Sequence, residues 1–220
     1  MSGVDARVNA PSRRVSAPRD PERTRAGILA AATAEITAKG LDGARVDDIA
    51  RRAGVNKRMI YHYFGGKEGL YLAVLEATYS AIRTAEIGLN LTDKDPAEGM
   101  RELVAFTWDY FIAHPEFLSL LATENLHRAR YLKQSERIRE LHSPLIGMIT
   151  ELLARGEKAK LFRAGVDPVQ LYVTIAALGF FYMSNRHTLS TIFGRDLGAR
   201  KALDARGKHI ADVVLAYLRR

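Results

Sequence analysis

The 220-residue sequence contains no cysteine. Disulfides, thiolate metal centres and thiol catalysis are thereby excluded, and a reducing cytosol is the compartment this composition fits. Aromatic residues are scarce at 8%, and the longest uncharged stretch, Pro168 to Asn185, is interrupted by Gln170, Thr174 and Ser184. That leaves too few continuous apolar positions for a bilayer span of ~20 residues, so the stretch reads as a buried helix and no membrane partner is expected. No apolar leader opens the chain, no internal repeat is visible, and strand-like alternation never lasts more than a few residues. The signatures HExxH and GxSxG are absent. "FGGKEG" fails as a phosphate loop, because Lys67 is followed by Glu68 and no glycine holds the leading position. One Glu-x-x-His unit, Glu124 to His127, has no second copy to complete a dinuclear site. Neither an enzyme, a cofactor nor a metal is expected.

What is present favours helix. Apolar residues make up 47% of the chain and charged residues 26%, in the balance of a globular protein rich in strong helix formers. The net charge of +8 is unevenly placed. Residues 1–67 carry 13 Lys/Arg against 7 Asp/Glu, whereas 68–220 carry 20 against 18. A basic first third fits a polyanionic partner, since cations near phosphates release condensed counterions; a merely solvated basic face is the plainer alternative.

Residues 1–19 hold Pro11, Pro18 and four arginines with little apolar content, which reads as a disordered basic arm. Asp20 followed by Pro21 marks a helix start, and Ile28, Leu29, Ala32 and Ile36 recur at helical spacing up to Gly40. A short helix fits Val46 to Ala53, broken by Gly54, and Asn56 caps a third from Lys57 to Phe64, ended by Gly65 and Gly66. A fourth starts near Lys67 and carries Leu70, Val74, Leu75, Ile82 and Leu89. Asp95 and Pro96 open a helix through Phe111 that halts before Pro115, and the next runs from Pro115 to about Arg128. A short piece from Gln134 to His142 precedes a helix opened by Ser143 and Pro144 and reaching Lys158. Asp167 and Pro168 open the apolar helix to about His187, and a last helix covers about Arg200 to Leu218.

The stretch "VDDIARRAGVNKRMIYHYF", Val46 to Phe64, is a helix-turn-helix pattern. Gly54 can turn left-handed and lacks a side chain that would keep the two helices apart. The second helix of such a unit lies in the major groove with its first residues at base edges; here these are Asn56, Lys57, Arg58 and Met59. Lys57 and Arg58 can donate to guanine O6 and N7, and Met59 can pack on a thymine methyl. Tyr61 and Tyr63 offer hydroxyls, and Lys67 an ammonium, to the flanking phosphates. Ile60 and Phe64 are expected in the core.

On "ILAAATAEITAKG", "DDIARRAGVN", "MIYHYF" and "KEGL", residues 23–75 resemble the DNA-binding domain of the TetR family of bacterial repressors. Two departures stand out. A threonine or serine is usual at the start of the family's second helix, where this chain has Arg45 and Val46, so the resemblance passes that phosphate contact to Arg45. A serine is usual where Asn56 stands, a change that alters the cap little.

The resemblance implies an all-α chain: a helix-turn-helix domain over 20–67, then a helical domain over 68–220 that dimerises through its last two long helices and encloses a small-molecule pocket. "LYVTIAALGFFYMSN" is apolar nearly all round, with Ala176, Ala177 and Gly179 permitting close approach, and so needs cover on every side. A second subunit could supply one side, against Ile210, Val213, Val214, Tyr217 and Leu218. Candidate pocket residues are the aromatic and polar side chains set into these helices: Trp108, Phe111, Phe117, Asn125, His127, Tyr172, Tyr182 and Arg186. Asp109, amid the dense "FTWDYF", is expected to face solvent. Together these features suggest a ligand-responsive repressor that binds a palindromic DNA operator as a homodimer and is released by an effector. A dimeric DNA-binding protein without an effector is the main rival, and a helical enzyme with an incidental basic module the other.

Overall fold

A computed structural model describes residues 20–220, apart from the side chains at positions 139 and 141–143. The basic arm expected over 1–19 lies outside the described residues. Nine α-helices account for most of what is described: α1 (Pro21–Gly43), α2 (Val46–Ala53), α3 (Lys57–Phe64), α4 (Lys67–Ile87), α5 (Pro96–Ala113), α6 (Pro115–Leu126), α7 (Glu136–Lys158), α8 (Pro168–Phe193) and α9 (Arg200–Leu218). Among the described residues no strand forms, only an isolated antiparallel bridge between Phe162 and Arg219.

The helix starts follow local chemistry. The carboxylates of Asp20, Asp95 and Asp167 each accept backbone N–H groups of the first turn, and each is followed by proline, whose missing N–H would have been unpaired there anyway. Gly40 interrupts α1 as expected, at φ 70° and ψ 170°, and the chain resumes one helical turn before ending at Gly43.

Three expectations are corrected. The separate pieces foreseen before and after Ser143 are one helix, α7, with Pro144 inside it. Proline there forfeits one backbone bond, but Ile138, Leu145, Ile149 and Leu152 form a continuous buried stripe, and the packing of that stripe outweighs the loss. Helix α8 runs past His187 to Phe193, and Val169, Val173, Phe181, Ile192 and Phe193 are exposed in the protomer. Leu89 lies beyond α4, although it still packs against the core.

Helix α1 packs on α2, α4 and α6, and α3 rests on α4 and α2. The remaining helices gather around α5, which touches α6, α7, α8 and α9. Glycines allow the closest of these approaches: the Phe111 ring sits on Gly179, and a Cβ at Gly207 would lie 2.6 Å from Trp108 Cδ1.

Candidate nucleic-acid interface

The corner between α2 and α3 is made by Gly54, at φ 64° and ψ 32°, where the Val55 N–H donates back to the Ala50 carbonyl at 3.0 Å. A Cβ at Gly54 would meet nothing within 4 Å. The glycine is needed for its left-handed backbone, and the expected steric reason for it does not apply. Asn56 then caps α3, its Oδ1 accepting the Arg58 N–H at 2.9 Å.

One side chain anchors α3. Ile60 is fully buried, and burying an isoleucine contributes about 2 kcal/mol. Phe64 is partly buried beneath the Arg25 guanidinium, 5.3 Å from its ring centre. With that face fixed, the opposite face is open. Lys57, Arg58 and Tyr61 are exposed, Tyr61 by 54%. Met59 and Tyr63 are half-buried against the core, so only part of each is offered outward.

The cations here are lightly held. Lys57 Nζ lies 3.1 Å from Asp47 Oδ1, an exposed pair of the kind worth ~1 kcal/mol or less. Arg58 and Arg45 form no ion pair among the described residues, and Arg45 stands at the start of α2 without a side-chain cap bond. Lys67, at the first turn of α4, donates to the Asp42 carbonyl at 3.2 Å. By contrast, the charges where α1 meets α2 are paired with one another. Lys39 bridges Glu35 and Asp48, and Arg51 and Arg52 pair with the same two carboxylates. Hydrogen bonding to Glu35 and Asp48 raises the Lys39 ammonium, and Lys39 in turn lowers the Asp48 carboxyl. Charges consumed by this lattice brace α1 against α2; those left over face outward.

Contacts from beyond α6 reach this region. His127 Nε2 lies 3.8 Å from Asp42 Oδ2, and Arg130 Nη2 lies 3.4 Å from Glu68 Oε1. His127 thus meets the loop that holds Lys67. Its companion Glu124 is buried and accepts the Leu132 N–H at 2.9 Å, which gives the Glu-x-x-His unit a packing role.

Of the remaining pocket candidates, Trp108 and Phe111 meet at Gly179, while Asn125 and Arg186 lie apart from them. Phe111 and Phe117 are buried and stack with centres 6.0 Å apart, and Phe117 also meets Tyr79 and Tyr110 edge-on. Tyr172, half-buried, accepts from Arg83 Nη2 at 3.1 Å. Trp108 and Tyr182 pair edge-on at 5.6 Å near α9, with Trp108 donating to the Leu203 carbonyl and Tyr182 to that of Leu197. Asn125 is exposed and bonds its own helix, and Arg186 lies against its neighbour His187. Asp109 is exposed, as expected.

Sequence reading missed the charged pair at the centre of the larger helical region. Arg83 and Glu86 are 2% and 1% exposed, with Nη1 2.8 Å from Oε2. Burial pushes the Glu86 carboxyl up to about 7 despite the opposing pull of Arg83. The available signal was positional: Tyr79, Ile82, Arg83 and Glu86 fall at helical spacing on the face that buries Leu75.

Among the described residues no group of three or more His, Asp or Glu could hold a metal ion, and no helix is long and apolar enough to cross a membrane. Family models match over two stretches: residues 28–74 fit the bacterial regulatory proteins of the tetR family, and residues 96–214 fit the tetracyclin repressor-like C-terminal domain. The HTH-type transcriptional repressor NicS of Pseudomonas putida is 42% identical over 199 residues, 90% of this chain and 94% of that protein. The HTH-type transcriptional repressor SCO4008 of Streptomyces coelicolor is 40% identical over 50% of this chain and 54% of its own. Among solved structures, the transcriptional regulator SCO4942 of Streptomyces coelicolor superposes with a TM-score of 0.67 at 26% identity, covering 89% of this chain and 98% of the other. With an exposed helix-turn-helix face, family matches at both ends and a near full-length relative, the chain belongs to the TetR family of bacterial regulatory proteins.

Proposed function

We propose that this protein represses transcription as a homodimer on a palindromic operator and that a small-molecule effector releases it. Residues 20–67 serve as the DNA-binding unit and 68–220 as the sensing and dimerising one. The observation that carries the reading is the outward face of α3, where Lys57, Arg58 and Tyr61 are exposed and tethered by at most one surface ion pair. Side chains so placed can exchange water for base edges and phosphates at little cost. Lys57, Arg58, Asn56 and Met59 address bases, while Arg45, Tyr61, Tyr63 and Lys67 hold the backbone.

Dimerisation is supported by the apolar residues that α8 and α9 leave outside. Val169, Val173 and Phe181 of α8 are exposed, as are Val213 and Tyr217 of α9, whereas Ile210, Val214 and Leu218 turn inward. Effector sensing is supported by the aromatic cluster of Tyr79, Tyr110, Phe111 and Phe117, next to the half-buried Tyr172. An effector that prefers a form with the two α3 helices out of register with successive major grooves, ~34 Å apart, weakens DNA binding by the same factor that DNA weakens its own.

Gel shifts with the protein's own upstream DNA and with random duplex test the reading. A shifted band that survives random competitor, with two protomers per site, is expected. Equal competition by random duplex would refute sequence-specific regulation.

A further inference from the structure

Arg83 presents a chemical problem that the fold leaves open. Its side chain is 2% exposed, and a buried guanidinium ordinarily uses most of its five N–H donors. Here Nη2 donates to the Tyr172 hydroxyl, while Nε and Nη1 complete no hydrogen bond, despite the nearness of Nη1 to Glu86 Oε2. Glu86 Oε2 is likewise without a bond. Arg83 and Glu86 thus keep their charge contact while Nε is left without a hydrogen-bond partner, and a buried polar group left so destabilises the fold.

The surroundings have the makings of a binding site. Tyr79, Tyr110 and Phe117 form an edge-on cluster, and burial raises the Tyr79 and Tyr110 hydroxyls, with the nearby Arg83 a lesser opposing pull. The Tyr172 ring is the outermost group: half-buried, with its hydroxyl on Arg83 and its centre 5.6 Å from the guanidinium carbon. Tyr172 is half-buried, whereas Leu171 and Ile175 on the same helix are buried. The neighbouring carboxyl is a poor counterion, since burial drives it toward its neutral form near pH 7.

We propose that Arg83 anchors the effector, and that the effector is a small organic carboxylate whose headgroup takes the guanidinium fork as Tyr172 swings aside, its apolar body lying against Tyr79, Tyr110 and Phe117. The planar fork of arginine matches a carboxylate bidentately, and the aromatic rings supply the apolar wall such ligands need. This inference rests on the ligand-responsive reading above and names the ligand class for it.

Thermal unfolding and calorimetric titration of the full chain with benzoate, phenylacetate and hexanoate, each beside its neutral amide, test it. At least one acid should bind and raise the melting temperature while its amide does not. Arg83→Gln should weaken that acid at least ten-fold. Tyr172→Phe, which removes the hydroxyl competing for Nη2, should bind it as tightly as wild type or more so, and this variant keeps the test sharp if Arg83→Gln fails to fold. The proposal is overturned if no acid binds better than its amide, or if Tyr172→Phe abolishes binding. A neutral compound that releases DNA would sink the carboxylate assignment and leave the regulator standing. Acid binding by a protein that ignores specific DNA would do the reverse.

Discussion

Arg58 and Tyr61 stand one turn apart on α3, both exposed, and their chemistry separates their tasks. A guanidinium near the helix start can reach a guanine edge, whereas a phenol near the helix end reaches only the sugar-phosphate wall. Arg58→Ala should therefore cost about 1–3 kcal/mol on the operator and also relax base preference, while Tyr61→Ala should lose a similar amount on every sequence. Quantitative gel shifts on operator and scrambled duplex separate the two; equal losses of Arg58→Ala on both would move Arg58 to the backbone. Glu86 allows a second prediction at this scale. Its carboxyl sits near 7 in the folded chain against an ordinary 4.5, so between these values the folded state holds more protons than the unfolded one. Stability then falls as pH rises through that window. Glu86→Gln, which has no proton to lose, should match wild type near pH 4 and exceed it at pH 8 by up to about 3 kcal/mol, at about 1.4 kcal/mol per pH unit. Melting curves at both pH values check the sign; a less stable variant at pH 8 would mean that attraction to Arg83 outweighs desolvation.

At the scale of elements, α8 divides its surface between two neighbours. Leu171, Ile175, Gly179 and Met183 face the protomer's own core, while Val169, Val173 and Phe181 face out. Phe181→Glu should therefore leave the fold intact, shift the protein to a monomer in light scattering, and weaken operator binding more than ten-fold, because one half-site is then bound without its partner. A dimer that survives this substitution would place the interface elsewhere. The sequence made α3 readable to the residue because its Asn56 cap, its Gly65 end and the buried Ile60 agree, while α2 was bounded by Gly54 and α9 by its apolar stripe alone. It misled at Ser143 and Pro144, where local start signals were overruled by the buried stripe of α7, a tertiary effect that residue order near Pro144 does not contain. The exposed face of α3 proposed for DNA was legible because the helix-turn-helix pattern is packed into 19 consecutive positions, Val46 to Phe64. Arg83, Glu86 and Tyr172 were not read together, because they lie on α4 and α8, 89 positions apart for the Arg83–Tyr172 bond, and charged residues are rarely inside.

At the scale of the whole molecule, charge is sorted by destination. Lys39, Arg51 and Arg52 are paired with Glu35 and Asp48, whereas Arg45 and Arg58 form no ion pair among the described residues and Lys57 and Lys67 are held by one contact each, which leaves these four for the proposed polyanion. His127 and Arg130 tie the region after α6 to Asp42 and Glu68, so a shift of α6 and α4 would move Lys67, the proposed phosphate contact, with them.

This sorting fixes how affinity should depend on salt. Each phosphate neutralised by a cation releases counterions, so the logarithm of the binding constant falls linearly with the logarithm of salt concentration, by about 0.9 per contact. With Arg45 and Lys67 on phosphates in two protomers, the slope should be about −4, steeper if Lys57 and Arg58 also contribute. Lys67→Ala removes one contact per protomer and should reduce the slope by about 2, with the same loss on every sequence. Arg186→Ala, on the outer part of α8 beside His187, should leave the slope unchanged. Titrations in fluorescence anisotropy from 50 to 200 mM salt, roughly the range over which such contacts are resolved, measure all three. A Lys67→Ala slope equal to wild type would show that the Lys67 ammonium keeps its bond to the Asp42 carbonyl in the DNA complex, and that α4 begins beside the duplex without touching it.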